Sequence, residues 1–475
     1  MRLIIAKFVF TIIIFVCWSI LSIANVDHFA IENYVNFKSL QPLCNDDISL
    51  KNFSNVVFPE IKRDFISSPV ITCLNLTGNN IEKIDRGAFD RLPNLTQLFL
   101  SNNKWSSPCE LLNFGSHDKL QMLIMNGNAK NCSIDNYYRS SLQIFGDYSN
   151  LEILSLRENC IKDFVLHYNI DSYFAHIPNF SIKSWVPFPK LKILDLSGNR
   201  ISRNDRIVRL LSNSLYFLDL HDNLLNDLRL NEKGNKLFAL NLDRNNFSTI
   251  NSQHEFQTTL SMTCLKDLHY LSISKNKIHT IDSGAFKDNN KLLFLNLSSN
   301  DLYDLYPETF ANLQYLKTLD LSENKFKNVP QISNKKISTL YLNNNCIYKI
   351  LSHSFTHMPK LVKLLMRENQ IYEIDVNAFA PLIVLEELDL SRNLLSSLPK
   401  GLAETFVSLK YLDLSKNRFT SLKSLLMNTW PSIKVLYLIK NPLKYLNVKY
   451  FENLPQNLTI NLINNSNFTT YVNGM

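Results

Sequence analysis

The feature that most constrains this chain is a phrase that recurs along most of its length. It reads LKILDLSGNRI from Leu191, LKTLDLSENKF from Leu316, LEELDLSRNLL from Leu385 and LKYLDLSKNRF from Leu409. The shared pattern is L-x-x-L-x-L-x-x-N-x-L, in which the alternate leucines of a short strand point to one side. A single unit cannot bury its own apolar side, so neighbouring units must stack. The pattern therefore predicts a solenoid.

The asparagine of the pattern gives the length of the repeat. It occurs at positions 79, 103, 128, 159, 199, 223, 245, 276, 300, 324, 345, 369, 393, 417, 441 and 465, and from Asn345 onward every step is 24 residues. Its amide can hydrogen-bond the backbone of its own turn and of the next coil, which keeps buried peptide groups satisfied. We expect an α/β solenoid of about 16 repeats over residues 71–465, with a concave parallel β-sheet and a mostly irregular convex side.

The second half of each unit is similar to a known class of repeats. IEKIDRGAFDRLPNL after Asn79, IHTIDSGAFKDNNKL after Asn276 and IYEIDVNAFAPLIVL after Asn369 share L-x-x-[IL]-x-x-x-x-F-x-x-L. This form resembles the 24-residue typical class of extracellular animal leucine-rich repeats. Toll-like receptor ectodomains, small matrix proteoglycans and insect leucine-rich immune proteins belong to that class. The resemblance, which covers about 71–465, implies a leucine-rich-repeat horseshoe that binds other macromolecules.

The N-terminus predicts secretion. Basic residues precede an apolar run from Phe8 to Leu21, and small residues lead to Ala24, so residues 1–24 have the pattern of a cleaved signal peptide. A retained signal anchor is the alternative, because the run is long for a signal peptide. No second run of this kind follows in the sequence, and we expect a secreted, extracellular protein with no membrane span after cleavage.

The segments that flank the solenoid are expected to cap it. Residues 25–70 are predicted to form an N-terminal cap, and residues 466–475 a short C-terminal tail. Asn441-Pro442-Leu443 resembles the entry to the C-terminal cap of extracellular leucine-rich repeats, in which a Cys-x-Cys follows, but no cysteine occurs after Cys346. We therefore expect the last coil to be covered by glycans, by the tail or by another molecule.

The positions of the cysteines predict two disulfides and leave the other pairings open. Cys44 and Cys73 bracket the entry to the first repeat, and a bridge between them would pin the N-terminal cap. Cys109 and Cys132 lie in adjacent coils at similar phase and form a second predicted pair. Without Cys17, which leaves with the signal peptide, seven cysteines remain, among them Cys160, Cys264 and Cys346. At least one thiol must be unpaired, either in an intermolecular disulfide or as an inert buried group.

Ten Asn-x-Ser/Thr sequences agree with secretion and are candidate glycosylation sites. They are Asn52, Asn75, Asn94, Asn131, Asn179, Asn246, Asn296, Asn457, Asn464 and Asn467. Two of them, Asn75 and Asn296, fall on the predicted concave face, where glycans would shield the sheet locally.

The residue between the paired leucines of L-x-L should project from the concave face. Aspartate recurs there at Asp195, Asp219, Asp320, Asp389 and Asp413, and we interpret it as part of the scaffold. In some repeats an apolar or aromatic residue replaces this aspartate. Exposed apolar and aromatic residues with charged neighbours are typical of protein interfaces. These candidate binding residues are Phe99, Met122, Ile124, Tyr341, Lys363, Leu365, Arg367, Val435, Tyr437 and Ile439.

Three intervals between ladder asparagines exceed the regular spacing. They run over 128–159, 159–199 and 245–276, and the middle one carries the aromatic segment FVLHYNIDSYFAHIPNFSIKSWVPFPK. Insertions in solenoids often become binding loops, and a longer, self-packed convex segment is the alternative.

No motif in the sequence indicates an enzyme. Phosphate-binding glycine loops, Gly-x-Ser-x-Gly, His-Glu-x-x-His and Cys-x-x-Cys pairs are absent from it, so we expect no catalysis, no metal and no cofactor. The mixed charges of the concave face and a net charge of +8 do not favour nucleic acid as a ligand.

The resemblance implies innate immune recognition or receptor-type signalling, with a receptor, an immune factor or a microbial ligand as partner. An extracellular-matrix or adhesion module is the alternative. Dimers could form through the C-terminal end or a free cysteine.

Overall fold

One parallel β-sheet runs through the whole described part of the chain. The computed structural model describes residues 50–129, 132, 137–146, 148–167, 186–252, 259–425, 430, 432–444 and 458–462. Within these residues the sheet has 17 three-residue strands. In chain order they are Leu50–Asn52, Cys73–Asn75, Gln97–Phe99, Met122–Ile124, Ile153–Ser155, Ile193–Asp195, Phe217–Asp219, Ala239–Asn241, Tyr270–Ser272, Phe294–Asn296, Thr318–Asp320, Thr339–Tyr341, Lys363–Leu365, Glu387–Asp389, Tyr411–Asp413, Val435–Tyr437 and Thr459–Asn461.

The leucine pattern explains why these triplets form strands. In the fifteen strands from Cys73–Asn75 to Val435–Tyr437 the middle residue is a buried leucine of the repeated motif, as Leu340 is in Thr339–Tyr341. The first and last residues point to the other side of the sheet because side chains alternate along a strand. They form the concave face, on which Thr339 lies beside Lys363 and Tyr341 lies beside Leu365. The predicted fold, a leucine-rich-repeat solenoid with a concave parallel sheet, is confirmed.

The sheet begins earlier than the predicted start of the repeats. Leu50–Asn52 pairs in parallel with Cys73–Asn75, although residues 25–70 were expected to form a separate cap. The first strand of the sheet therefore lies inside the predicted cap segment and covers the edge of the first full repeat.

Asn393 illustrates how neighbouring coils are joined. Its side-chain Nδ2 donates to the carbonyl oxygen of Leu390 at 3.0 Å and to that of Met366, in the preceding coil, at 3.0 Å. Its Oδ1 accepts the N–H of Ile371 at 3.0 Å. The same three bonds recur at Asn324. The ladder asparagine satisfies buried peptide groups of two coils, as predicted, but its second partner is the preceding coil and not the next one.

The residue before the ladder asparagine makes the sharp turn out of the strand. Its φ is positive, with 55° at Glu323, 58° at Glu368 and 55° at Lys416. This left-handed conformation costs most L residues about 1–2 kcal/mol, whereas Gly and Asn adopt it readily. Gly198 and Asn344 occupy the same place in other coils. The turn thus depends on this residue as well as on the asparagine.

The convex side contains only short elements in the described residues. The α-helices are Tyr137–Ser140, Asn204–Leu210 and Leu402–Thr405, and the 3₁₀ helices are Pro108–Glu110, Asn231–Gly234 and Leu422–Leu425. The short strands outside the main sheet are Glu60–Ile61, Lys83–Ile84, Ser141–Phe145, Asp163–His167, Thr249–Asn251, Leu260–Ser261, Thr280–Ile281, Lys349–Ile350 and Glu373–Ile374. None of the described helices is long and apolar enough to cross a membrane.

Aromatic rings pack one coil on the next in the convex half of the core. The ring centroids of Phe355 and Phe379 are 5.7 Å apart, and those of Phe379 and Phe406 are 5.2 Å apart. Trp430 continues this stack at 5.6 Å from Phe406. Phe379 is the phenylalanine of the form L-x-x-[IL]-x-x-x-x-F and is fully buried. This position of the repeat therefore stabilises the contact between coils.

The predicted Cys109–Cys132 disulfide is wrong. Cys132 is bonded to Cys160, and their Cα atoms are 5.1 Å apart. Cys109 is a free, buried thiol, because the 3₁₀ turn that contains it places its Sγ 3.0 Å from Ser107 Oγ inside the coil. Cys160 directly follows a ladder asparagine in the next coil, so it reaches Cys132 across neighbouring coils.

The other cysteines have different outcomes. Cys73 is disulfide-bonded, but its predicted partner Cys44 lies outside the described residues, so that pairing stays a prediction. Cys264 and Cys346 are free and half-buried.

Several predictions fall on parts of the chain that the structure does not describe. They concern the signal peptide at 1–24, most of the N-terminal cap, the tail at 466–475 and most of the aromatic insertion, of which 168–185 lie outside the described residues. These predictions stay open.

Candidate protein-binding surface

The recurring aspartates of the concave face hold the backbone of their own turns. The Oδ1 atoms of Asp320, Asp389 and Asp413 accept the N–H of the serine two residues later at 2.8–2.9 Å. Asn296 makes the same bond to the N–H of Ser298 at 3.0 Å. These hydrogen bonds support the interpretation that the aspartates stabilise the scaffold. The candidate binding residues are therefore those of the concave face that are not aspartate.

Burial of the ionised Asp320 carboxylate lowers the stability of the folded state, and this effect can be measured. Burial raises the pKa of its carboxyl above the ordinary 3.8, so the folded state binds the proton more tightly than the unfolded state. The stability that protonation contributes is therefore present at low pH and is lost as the pH rises from about 3.8 through the raised pKa.

We expect Asp320→Asn to raise the free energy of unfolding at pH 7. Asparagine can accept the same bond from the Ser322 N–H, just as Asn296 in the preceding strand accepts one from the Ser298 N–H, and it removes the buried charge. Urea unfolding at pH 7 and pH 3 measures the effect, which should shrink at pH 3, where the wild-type carboxyl is protonated. A variant that is less stable than wild type at pH 7 would show that the charge itself is needed.

Most of the predicted binding residues in the N-terminal half of the concave face are buried. Phe99 and Ile124 are only 2% and 8% exposed, and the prediction that they project as free apolar groups is wrong. They pack with Cys73 into one apolar cluster, against which the half-buried Met122 and Ile153 also lie. Adjacent strands are about 4.8 Å apart, so large apolar side chains at neighbouring positions bury one another.

The middle of the concave face holds an aromatic group that is not among the predicted residues. The rings of Tyr216 and Phe238 stack with centroids 5.0 Å apart, and His269 stacks on Phe238 at 4.5 Å. Phe217 and Phe238 are each 3% exposed, and burial lowers the pKa of His269, which keeps its imidazole neutral. The sequence feature that could have predicted this group is a pair of aromatic residues between the first two leucines of the motif, as in LYFLDL from Leu215. This group is packed within the chain.

The C-terminal half of the concave face is open and joins the remaining predicted residues. Tyr341 lies beside Leu365 in register, and Val435 and Tyr437 lie three strands beyond Leu365. Tyr411 lies beside Val435 and is 44% exposed. The C-terminal concave surface is defined here as Tyr341, Lys363, Leu365, Arg367, Tyr411, Val435, Tyr437 and Ile439. Its five strands span about 19 Å at about 4.8 Å per strand.

Tyr411 is the residue of this surface that the sequence pattern did not indicate. It is the first residue of its strand, whereas the aspartate position that drew attention is the last. First and last residues share the concave face, so the same alternation that identified Tyr437 also places Tyr411 there. In the Tyr411–Asp413 strand it lies between Glu387 and Val435 of the two neighbouring strands.

Charged side chains interrupt the apolar groups of this surface. Lys363 Nζ lies 2.8 Å from Glu387 Oε2 in the adjacent strand. Burial, and then the negative charges of Asp320 and Glu387, raise the pKa of Tyr341, so its hydroxyl stays protonated. Half-exposed tyrosines beside paired charges can supply both apolar area and hydrogen bonds to a protein partner.

The described residues offer no metal site on this surface or elsewhere. No group of three or more His, Cys, Asp or Glu side chains in the described ranges is arranged to hold a metal ion.

The candidate glycosylation sites differ in accessibility. Asn75 is 3% exposed and its Nδ2 donates to Asn52 Oδ1 at 2.8 Å, so a glycan on that nitrogen would displace a buried contact. Asn52 is exposed, and Asn94, Asn246 and Asn296 are half-buried. The sites at Asn131, Asn179, Asn457, Asn464 and Asn467 lie outside the described residues.

Comparisons of the sequence with protein families match the repeats. A leucine-rich-repeat family model matches residues 69–129, 261–302 and 363–419, and a second leucine-rich-repeat model matches 190–213. The matched regions lie within the solenoid, and the match over 363–419 includes three of the five strands that the C-terminal concave surface spans, namely Lys363–Leu365, Glu387–Asp389 and Tyr411–Asp413.

Several curated proteins share parts of the chain. Prolargin of Rattus norvegicus is 49% identical over 84 residues, which are 18% of this chain and 22% of prolargin. Podocan of Mus musculus is 25% identical over 324 residues, 62% of this chain and 51% of podocan. A transforming growth factor beta activator of Danio rerio is 29% identical over 270 residues, 53% of this chain and 37% of that protein. The chain spans between about a fifth and about half of these relatives.

Solved structures share the fold at low sequence identity. The Toll–Spatzle complex of Drosophila aligns with a TM-score of 0.54 and 19% identity, over 83% of this chain and 48% of that chain. A leucine-rich-repeat protein of Leptospira interrogans aligns with a TM-score of 0.53 and 20% identity, over 80% of this chain and 94% of that chain. The repeat pattern, the parallel sheet and these matches together show that the chain has the leucine-rich-repeat fold.

Proposed function

We propose that this chain is a secreted, glycosylated, non-catalytic protein that binds a protein partner through the C-terminal concave surface. The observation that carries the proposal is the contrast between the two halves of the concave face. Phe99 and Phe238 are packed within the chain at 2% and 3% exposure, whereas Tyr411 is 44% exposed. An accessible surface rich in tyrosine, with charges at its edges, is typical of a protein-binding site.

Two biological roles fit such a protein. Innate immune recognition or receptor-type signalling is favoured by the resemblance to Toll-like ectodomains, and one relative is itself named as an activator of transforming growth factor beta. An extracellular-matrix role is favoured by the likeness to podocan over 62% of the chain and by the local likeness to prolargin. Purification of the partner from extracellular fluid distinguishes the roles, because a receptor or microbial ligand supports the first and collagen supports the second.

The binding surface is tested with the double variant Tyr411→Ser/Tyr437→Ser. With the purified partner, we expect the Kd to rise roughly 1,000-fold, because two buried interface tyrosines that contribute about 2 kcal/mol each together contribute about 4 kcal/mol. Both side chains lie on the concave face outside the leucine core, so the fold should be kept, as an unchanged melting temperature would verify.

A matched control removes two tyrosines elsewhere. Tyr303 and Tyr306 are 64% and 57% exposed and lie outside the strands of the sheet. The variant Tyr303→Ser/Tyr306→Ser should change Kd by less than about threefold. Equal affinity of wild type and Tyr411→Ser/Tyr437→Ser would refute the proposed surface.

A further inference from the structure

A row of cations follows the rim of the sheet beside the C-terminal concave surface. Arg392, Lys416 and Lys440 each directly precede a ladder asparagine in three successive coils, 24 residues apart. Their φ values of 55°, 55° and 60° are nearly the same, so the three side chains leave the backbone from equivalent points. At about 4.8 Å per coil, the row extends over about 10 Å between its first and last Cα atoms.

Few carboxylates balance this row. Glu368 Oε1 lies 2.6 Å from an Arg392 guanidinium nitrogen and 3.6 Å from one of Arg367. No described acidic side chain forms an ion pair with Lys416 or Lys440. Burial, and then the positive charges of Arg392, Lys440 and Arg367, lower the pKa of Lys416. Among the described residues Glu368 forms the ion pairs of this group, the carboxylate of Asp413 acts on Arg367 from the concave face, and Lys416 and Lys440 carry positive charges without an ion pair.

We propose that the row Arg392–Lys416–Lys440 binds a linear sulfated polysaccharide. A regular line of cations is complementary to a polymer that carries anionic groups at intervals along its length. Arg and Lys N–H groups donate short, charge-assisted hydrogen bonds to such anionic oxygens. The site is separate from the tyrosines of the concave surface, so a protein partner and a polysaccharide could be bound by the same coils.

The composition of the rim favours a polysaccharide over single-stranded nucleic acid. Proteins that bind single strands without reading their sequence combine cations with aromatic rings, on which the bases stack. The turns that hold the row carry no aromatic ring: the sequence neighbours are Ser391, Ser415 and Ile439 before it, and, after the ladder asparagines, Leu394, Arg418 and Pro442. Tyr411 and Tyr437 of the C-terminal concave surface belong to the strands and not to these turns.

The test uses the full chain and heparin as the sulfated probe. The variant Lys416→Asn/Lys440→Asn removes two charges, and asparagine suits the left-handed conformation, which Asn102 and Asn344 already adopt at the same place in other coils. We expect heparin affinity at 0.15 M salt to fall about tenfold or more, and the dependence of log affinity on log salt to become shallower by roughly one to two units.

The matched control is Arg244→Asn/Lys275→Asn. These two residues hold the same place in two successive coils, each with φ of 54°, so the control removes the same net charge from the same kind of position. We expect it to keep heparin affinity within about threefold of wild type. Equal losses in the two variants, or unchanged binding in Lys416→Asn/Lys440→Asn, would overturn the proposal. Poly(U) RNA that binds as tightly as heparin and is lost in the same variant would overturn the choice of polysaccharide.

Discussion

Replacing Phe379 by alanine is expected to lower the free energy of unfolding by about 3–5 kcal/mol. The ring is fully buried and packs against Phe355 in the preceding coil and Phe406 in the following one. Removing it leaves a cavity that neither coil can close alone. Because each coil of a solenoid is stabilised mainly by its neighbours, the loss falls on two interfaces at once.

Urea unfolding followed by circular dichroism measures this loss. Tyr372→Ala, in the same coil, is a suitable control because Tyr372 is 50% exposed, and we expect it to cost about 0.5 kcal/mol or less. A loss below about 1 kcal/mol for Phe379→Ala would mean that the aromatic stack does not hold the coils together.

Removing the Cys132–Cys160 disulfide is expected to cost about 3.5 kcal/mol. The bond closes a segment with a sequence separation of 28, and the loss of chain entropy in the unfolded state for a loop of that length gives about this value. The variant Cys132→Ala/Cys160→Ala should therefore unfold at lower denaturant concentration. Cys346→Ala, which removes a free thiol, should change stability by less than about 1 kcal/mol.

Peptide mapping without reductant tests the same pairing chemically. We expect a cross-linked peptide that contains Cys132 and Cys160, and an alkylated peptide for Cys109 after denaturation, because Cys109 is free and buried. A cross-link between Cys109 and Cys132 would contradict the structure.

The periodic part of the molecule could be predicted from the sequence because its physics is local and repeated. Asn393 satisfies the backbone of two coils, and Asp389 holds the N–H of Ser391, through contacts that depend only on the position within the repeat. The same applies to Phe379, whose place in the repeat fixes the coil against which it packs.

Exposure and disulfide pairing could not be predicted in the same way because they depend on which side chains meet. The alternation of side chains along the strand correctly predicted that Phe99 and Ile124 point to the concave face. Their packing with Cys73, which buries them there, could not be predicted in this way. Cys109 and Cys132 share a similar phase, yet the turn at Pro108–Glu110 buries Cys109 and leaves Cys132 to Cys160. Irregular segments between repeats have no period from which their geometry could be inferred.

Hydroxyl-radical footprinting of the chain with and without its purified partner tests the binding surface most directly. Tyr411 and Tyr437 belong to the C-terminal concave surface, whereas Tyr303 and Tyr306 are exposed outside the sheet. We expect the partner to protect Tyr411 and Tyr437 from oxidation and to leave Tyr303 and Tyr306 unchanged. Protection of Tyr303 and Tyr306, with Tyr411 and Tyr437 as reactive as in the free chain, would contradict the assignment of the binding surface.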